Sequence, residues 1–298
     1  VDLVRARAAA VIPAFARGLC DDAAIFPPGS SPLADAVPAH VRHRHAPYAE
    51  LVGPLVISAT ASRALPDLLP VEGGHRLDLA VTFPEGPATV PAVMEAVTAL
   101  PVDVRALEVA VPEGVTAVEL VGALDAAGVD DTVEVFVEVP RDARRADVIA
   151  ALATTRYLAK FRTGGVRAEL YPDEVELAAA ITAVVGAGVP YKATAGLHHA
   201  VRNTDPDTGF EQHGFLNLLL ATDAALRGAD ESDLVPILAD RDGSALAERV
   251  TALTDDRVAA TRATFRSFGT CSVDEPLTEM IDLGLVPNAV SPTDERTV

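Results

Sequence analysis

Eight short apolar runs alternate with longer alanine-rich stretches of helical period along these 298 residues, and that alternation predicts an α/β fold, a (β/α)8 barrel of the TIM type. Two further observations point the same way. The length suits one such barrel, typically about 250 residues. Polar residues also gather at the carboxyl ends of the runs, where barrel active sites are built. All of 1–298 reads as one barrel domain, with a helical and loop insertion at about 200–264 between strands 7 and 8.

The elements follow in order. Strands are read at Cys20–Phe26 and Pro54–Thr60, then at Leu77–Phe83, where Leu77, Leu79, Val81 and Phe83 show the period of two of a strand with distinct faces. Thr89–Leu100 is a helix opened by threonine and proline. Strand Val102–Val111, helix Val115–Ala127 and strand Thr132–Val139 come next, the last carrying Val133, Val135, Val137 and Val139 on one face. Helix Ala146–Thr155, strand Tyr157–Arg162, helix Asp173–Val185 and strand Pro190–Thr194 continue the rhythm. The insertion then supplies a loop, Asn203-Thr-Asp-Pro-Asp-Thr-Gly, and helices Gly214–Arg227 and Asp233–Ala239, expected to cover the barrel mouth, before the last strand at Ser267–Ser272.

Composition excludes several classes. A formal charge of −19 repels nucleic acid and anionic membrane, so an anionic ligand needs a local cationic pocket. Cys20 and Cys271 stand far apart, outside any paired-cysteine motif, which fits a reducing cytoplasm. The opening Val1-Asp-Leu-Val-Arg-Ala-Arg shows no secretion leader, and no run of about 18 uncharged apolar residues occurs. The expectation is a cytoplasmic protein with a small-molecule partner, no nucleic-acid or membrane partner, and a sequence compatible with a homo-oligomer.

The chain holds two lysines against 22 arginines, and both fall where a strand runs into a glycine-bearing loop, at Lys160 and Lys192. Arginine stays protonated and cannot act as a nucleophile, so an amine kept at two successive strand ends points to chemistry. With both lysines in the lumen, Arg162 and Thr194 share their face, and the polar phase of the other strands adds Ser58, Thr60, Thr82, Glu108, Glu134 and Glu138. Two ammonium groups roughly 6 Å apart repel by about 2.8 kcal/mol at an effective dielectric near 20. That repulsion is expected to pull Lys160 well below the ordinary lysine pKa and free it to form a Schiff base with a carbonyl compound, while Glu108 or Glu138 moves protons. A buried lysine–glutamate ion-pair network without chemistry, or two ordinary surface lysines, are the plainer readings of the same residues.

A resemblance covers these positions. Cys20-Asp-Asp-Ala-Ala-Ile-Phe-Pro-Pro, Val81-Thr-Phe-Pro-Glu-Gly-Pro-Ala-Thr, Leu107-Glu108-Val-Ala-Val, Val137-Glu138, Lys160-Phe-Arg-Thr-Gly, Lys192-Ala-Thr-Ala-Gly and Phe268-Gly-Thr-Cys-Ser occur in the strand order of a known family. The chain resembles the 2-deoxyribose-5-phosphate aldolases among the class I aldolase barrels. The resemblance implies Lys160 as the Schiff-base lysine, Lys192 as the residue that tunes it, and acidic residues at Glu108 and Glu138. It ties the Gly269, Thr270, Ser272 loop to a phosphate site. With Arg162 adding positive charge on the Lys160 face, the expected substrate-binding set is Arg162, Thr163, Gly164, Thr194, Gly196, His198, Gly269, Thr270 and Ser272, and no cofactor or metal is required.

Departures are present as well. Ala195 stands where the family has glycine, His198 and His199 follow, Glu108 is longer than the usual aspartate, and no carboxyl-terminal tyrosine is present. The expected activity is a class I aldolase-like carbon–carbon lyase acting on a small aldehyde or ketone, phosphorylated or carboxylated. Arg162 is equally readable as a partner for Glu138 or Glu108. The competing readings are a metal-dependent lyase or hydrolase using His198, His199 and His213, and a small-ligand-binding barrel without catalysis. His43 and His45 read as surface residues, and Cys271 as a small lining or core residue.

Overall fold

The computed structural model describes residues 12–69 and 76–291; the opening segment read for a leader lies outside them. In chain order the strands are β1 (Cys20–Asp22), β2 (Val52–Ser58), β3 (Leu77–Phe83), β4 (Val102–Ala110), β5 (Glu134–Glu138), β6 (Leu158–Arg162), β7 (Tyr191–Thr194), the short β8 (Asn203–Thr204) and β9 (Glu211–Gln212), and β10 (Phe265–Thr270). Eight of them close into a barrel, β1-β10-β7-β6-β5-β4-β3-β2, with every neighbouring pair parallel, while β8 and β9 pair separately as an antiparallel hairpin. The helices are α1 (Leu33–His45), α2 (Val90–Thr98), α3 (Ala117–Ala126), α4 (Arg145–Leu152), α5 (Glu174–Gly186), α6 (Phe215–Leu226), α7 (Glu231–Ala239), α8 (Gly243–Thr251), α9 (Asp255–Thr264) and α10 (Asp274–Asp282). This is the (β/α)8 TIM-type architecture that the alternation predicts. Among the described residues no helix is long and apolar enough to cross a membrane.

Strand alternation divides the core in two. The outward rows Leu77, Leu79, Val81, Phe83 and Val133, Val135, Val137, Val139 join the large cluster under the helices. Inside the barrel, Val56, Ala80, Ala106, Phe136 and Leu158 form a separate apolar layer. Two residues later on each of the same strands stand Ser58, Thr82, Glu108, Glu138 and Lys160, so the pleat stacks a polar layer directly on an apolar floor. Strand boundaries differ most from expectation at β1, β2 and β10. β1 ends at Asp22, β10 begins at Phe265 rather than Ser267, and β2 begins at Val52 because a register shift at Gly53–Pro54 takes the proline into the strand. Thr60 therefore falls past β2, exposed beside a 3-10 turn, and does not enter the lumen.

The insertion takes a different place from the one its length implies. Helix α6 packs on α5, α7, α8, α9 and β10, and none of residues 200–264 lines the cavity at the carboxyl ends of the strands. The insertion's helices thicken the barrel's flank, while the β8–β9 hairpin packs on the loop after β6, where Phe210 meets the Tyr171 ring and His213 bonds the Pro172 carbonyl. The α6 sequence explains the flank position: Phe215-Leu-Asn-Leu-Leu-Leu-Ala-Thr-Asp-Ala-Ala is apolar all round, and such a helix needs cover on every side. The polar exceptions are anchored. Asn217 Oδ1 accepts from Arg202 N–H at 2.9 Å and its Nδ2 donates to the Ile237 and Asp240 carbonyls, each at 2.8 Å, while Asp223 binds Arg227 and Arg257.

Removing these anchors is expected to strand buried backbone groups. Asn217→Ala should lower the unfolding free energy by about 2–4 kcal/mol, read by urea denaturation, without changing ligand capture at the distant cavity.

Candidate active site

Barrel closure places Lys160 and Lys192 side by side on β6 and β7, in direct register, both buried. Between their ammonium groups lies Glu108. One carboxylate oxygen sits 2.6 Å from Lys192 Nζ and the other 2.7 Å from Lys160 Nζ. Lys160 also contacts Glu138 Oε2 at 3.0 Å, and Glu138 Oε1 accepts from Arg162 Nε at 2.9 Å. Lys192 is held from the other side by Asp21, whose same oxygen accepts from Ser267 Oγ at 2.7 Å. A continuous chain results: Arg162, Glu138, Lys160, Glu108, Lys192, Asp21, Ser267.

Asp21 is the residue that sequence reading passed over. β1 carries two adjacent carboxylates, and alternation sends them opposite ways. Asp21 faces the lumen, whereas Asp22 turns outward and bonds buried His40 of α1 at 2.9 Å. Paired aspartates inside an apolar strand are the available signal, since one of the two must point into the barrel. Gly53 on β2 makes the space: a Cβ there would lie 2.1 Å from Asp21 Oδ1.

The charges do not act as simple repulsion predicts. Burial alone disfavours the ammonium of Lys160, but the adjacent Glu108 and Glu138 carboxylates outweigh it and raise its pKa above the ordinary lysine value. Lys192 is likewise raised against its burial, by Asp21 and Glu108. The expected depression of Lys160 by Lys192 is thus reversed, because a carboxylate stands where the two cations would have faced each other. Burial opposes the charged forms of Glu108 and Glu138 too, yet the lysines, with Arg162 for Glu138, bring each down to about 2. Asp21 goes the other way, raised by burial despite Lys192 and Ser267.

Lys160 opens upward into a cavity of about 280 Å³ at the carboxyl ends of the strands. Ser58, Thr82, Glu108, Glu138, Arg162, Thr194, His198, Gly269 and Cys271 line it together with an apolar wall. Lys192 does not line this cavity; it borders a second one, of about 290 Å³, at the opposite mouth with Asp21, Glu134, Arg262 and Arg266. Glu134 belongs to that lower end and pairs with Arg266.

The other residues of the expected anion site are engaged elsewhere. Thr163 Oγ1 donates to the Thr194 and Ala195 carbonyls at 3.1 and 2.7 Å. Gly164 and Gly196 pack against each other beneath Tyr171: a Cβ on Gly164 would lie 2.9 Å from Gly196 Cα and 2.7 Å from the ring. Thr270 Oγ1 donates to the Ser272 carbonyl at 2.9 Å, and Ser272 Oγ accepts from Glu275 N–H at 3.3 Å. Ala195 adopts the left-handed φ of 64°, so alanine keeps the backbone shape that glycine would supply freely.

The three histidines diverge, which removes the geometry of the metal reading. His198 reaches Glu275 at 3.3 Å and Cys271 Sγ at 3.6 Å; burial works against its charge, but these partners lift it to about 9. His199 binds Glu279 at 2.5 Å. His213 is buried, bonded to the Pro172 carbonyl at 2.8 Å and beside Arg202, and burial with that cation lowers it to about 4. Among the described residues no group of three histidine, cysteine or acidic side chains is placed to hold a metal ion. His43 bonds Tyr48 Oη at 3.0 Å, and His45 is exposed.

Neither the family models nor the curated proteins include a match to this chain.

The carboxylates set an acid limit. Glu108 and Glu138 titrate lower in the folded chain than unfolded, so their stabilisation is present above the ordinary glutamate range and is lost as pH falls from about 4.5 toward 2. Urea unfolding measured from pH 5 to pH 3 should show a steep loss of stability, and Glu108→Gln should flatten it while costing about 3–5 kcal/mol at pH 5.

Proposed function

We propose that the protein is a class I aldolase-type carbon–carbon lyase in which Lys160 forms a Schiff base with an aldehyde or ketone. The observation that carries this reading is the position of the Lys160 amine. It borders the cavity at the carboxyl ends of the strands, while the second lysine and three carboxylates connect to it from below and beside.

The ammonium must first lose a proton. Glu108 and Glu138 are both within hydrogen-bond reach, and Glu108 joins the acceptor side of Lys160 to Lys192. The free amine attacks the carbonyl carbon, water leaves with the carbonyl oxygen, and the nitrogen ends as an iminium carrying the charge of the ammonium it replaced. The iminium then accepts the electron pair of the cleaving carbon–carbon bond to become an enamine, while the other fragment gives its hydroxyl proton to a carboxylate and leaves as a second carbonyl compound. Loss of an α-proton gives the same enamine in the reverse direction. Glu108 and Glu138 both touch Lys160 and the cavity, and Glu138, the more exposed of the two, is the one we assign to pass a proton at the substrate. Lys192 is a positioning residue: it holds Glu108 in place and borders the cavity at the other mouth, a separate route for protons.

A binding barrel without catalysis is less well supported. Burying two lysines with three carboxylates is costly relative to apolar packing of the same volume, and a plain ligand pocket does not need it.

Borohydride reduction in the presence of a carbonyl compound should add mass at Lys160, mapped by peptide mass spectrometry, and Lys160→Arg should remove the adduct while preserving the circular dichroism spectrum. A protein left unmodified by a broad aldehyde and ketone panel would sink the Schiff-base reading.

The pH profile is a separate test. Because the amine is held protonated at neutrality, capture should accelerate about tenfold per pH unit between 7 and 9. Removing the intervening carboxylate in Glu108→Gln leaves two facing ammonium groups and should shift that profile toward lower pH. A profile that is flat in the parent protein, or moved upward in the variant, contradicts the assignment of Glu108.

A further inference from the structure

Resting on the Schiff-base reading, we infer that the substrate is an uncharged aldehyde or ketone with an apolar body, not a phosphorylated sugar. Two independent features of the cavity carry this. The first is its wall. Phe26, Pro84, Val166 and Leu170 line the cavity into which Lys160 opens, with Val56 of the apolar floor and Phe83 at the end of β3 adding to its lining. Val166 stands at the rim with 71% of its surface exposed, an apolar side chain held in solvent beside the site. Apolar lining with a few convergent polar groups is the ordinary form of a pocket for an apolar ligand.

The second feature is charge. Three cations, Lys160, Lys192 and Arg162, meet three carboxylates, Asp21, Glu108 and Glu138, in one connected chain. His198, the further cation at the cavity, faces Glu275. An iminium replaces an ammonium without changing this balance, so an uncharged carbonyl compound leaves the site neutral. A phosphate would bring up to two negative charges into a buried site that has no surplus cation to receive them. Several of the hydroxyls expected to hold it are already engaged by the backbone. Thr163, Thr270 and Ser272 spend their hydroxyls on backbone groups, and helix α10, which starts beside the cavity loop, opens with Asp274 and Glu275, whose charges repel an anion there.

The test uses two readouts. Lys160 capture by borohydride is measured against concentration for acetaldehyde, butanal, hexanal and glycolaldehyde phosphate. The half-capture concentration should fall about three- to fourfold for each methylene that enters the wall, and glycolaldehyde phosphate should capture no better than acetaldehyde. Phe26→Ser and Val166→Ser should lower the ratio of hexanal to acetaldehyde capture. Better capture of the phosphorylated aldehyde than of hexanal overturns the inference. Thermal unfolding with hexanamide and with butyl phosphate, neither able to form a Schiff base, tests the same preference without the covalent step. A rise with hexanamide that exceeds any rise with butyl phosphate supports it even if no aldehyde is captured, in which case only the Schiff-base reading falls. An equal or larger rise with butyl phosphate, or none with hexanamide, overturns the apolar preference.

Discussion

Everything in the lumen is organised around one carboxylate. Glu108 binds a different lysine with each oxygen, and without it two buried ammonium groups on adjacent strands would face each other in a region with little water to screen them. Breaking a buried pair by removing one partner costs more than the pair contributes in net stability, because the remaining charge is left uncompensated. The polar layer is therefore a unit in which each member requires the others. It also requires closure of the barrel, since its members come from β1, β4, β5, β6, β7 and β10, which meet only when the first and last strands pair.

Side-chain length follows from that arrangement. β4 and β6 are separated by β5, so Glu108 must reach across two strand spacings, about 10 Å, to meet Lys160. Phe136 stands in register with Glu108 on the intervening strand and occupies the space below, with its ring 5.3 Å from Lys192 Nζ. A glutamate spans this distance with a long partner lysine where an aspartate falls one methylene short. The same reach explains why lysine serves at both positions in an arginine-biased chain. A compact ammonium fits between two or three carboxylate oxygens, whereas a planar guanidinium fork demands a broader slot and cannot give up its proton.

Much of this was legible beforehand, and the reasons are specific. The period of two in Leu77–Phe83 and around Val135 placed the outward rows correctly because the helices that cover them impose a single apolar face. The scarcity of lysine singled out the two lumen amines. Proline misled at the start of β2: lacking an N–H, Pro54 reads as a strand start, but a bulge admits it into the interior of the strand. At the other end Ser58 keeps the expected inward phase, the strand stops there, and Thr60 lies in the turn beyond. Asp21 escaped notice because the lumen phase was assigned on the other strands and the adjacent aspartates of Cys20–Phe26 were not sorted into inward and outward faces. The place of the insertion depended on α6 being apolar on all sides, which calls for a flank position between other helices and not a lid over the mouth. The engaged hydroxyls of Thr163, Thr270 and Ser272 could not be read at all, since loop side chains choose between ligand and backbone only in three dimensions.

The opposed shifts of the carboxyl groups give the site a direction. Glu108 and Glu138 are held far below the ordinary range, which makes them poor resting proton acceptors, while Asp21 is raised by burial and lies at the end of the chain nearest the lower mouth. In the proposed reaction, a proton leaving Lys160 toward Glu108 can be relayed by Lys192, which already bonds both Glu108 and Asp21, without passing through the upper cavity. The gradient runs downward through the barrel, from the cavity that Lys160 borders to the side where Asp21 and Lys192 meet the second cavity. Separating the two routes has a physical advantage. On the proposed Schiff-base reading, a filled upper cavity excludes water and so favours an iminium against hydrolysis, while proton exchange with solvent continues through the other end.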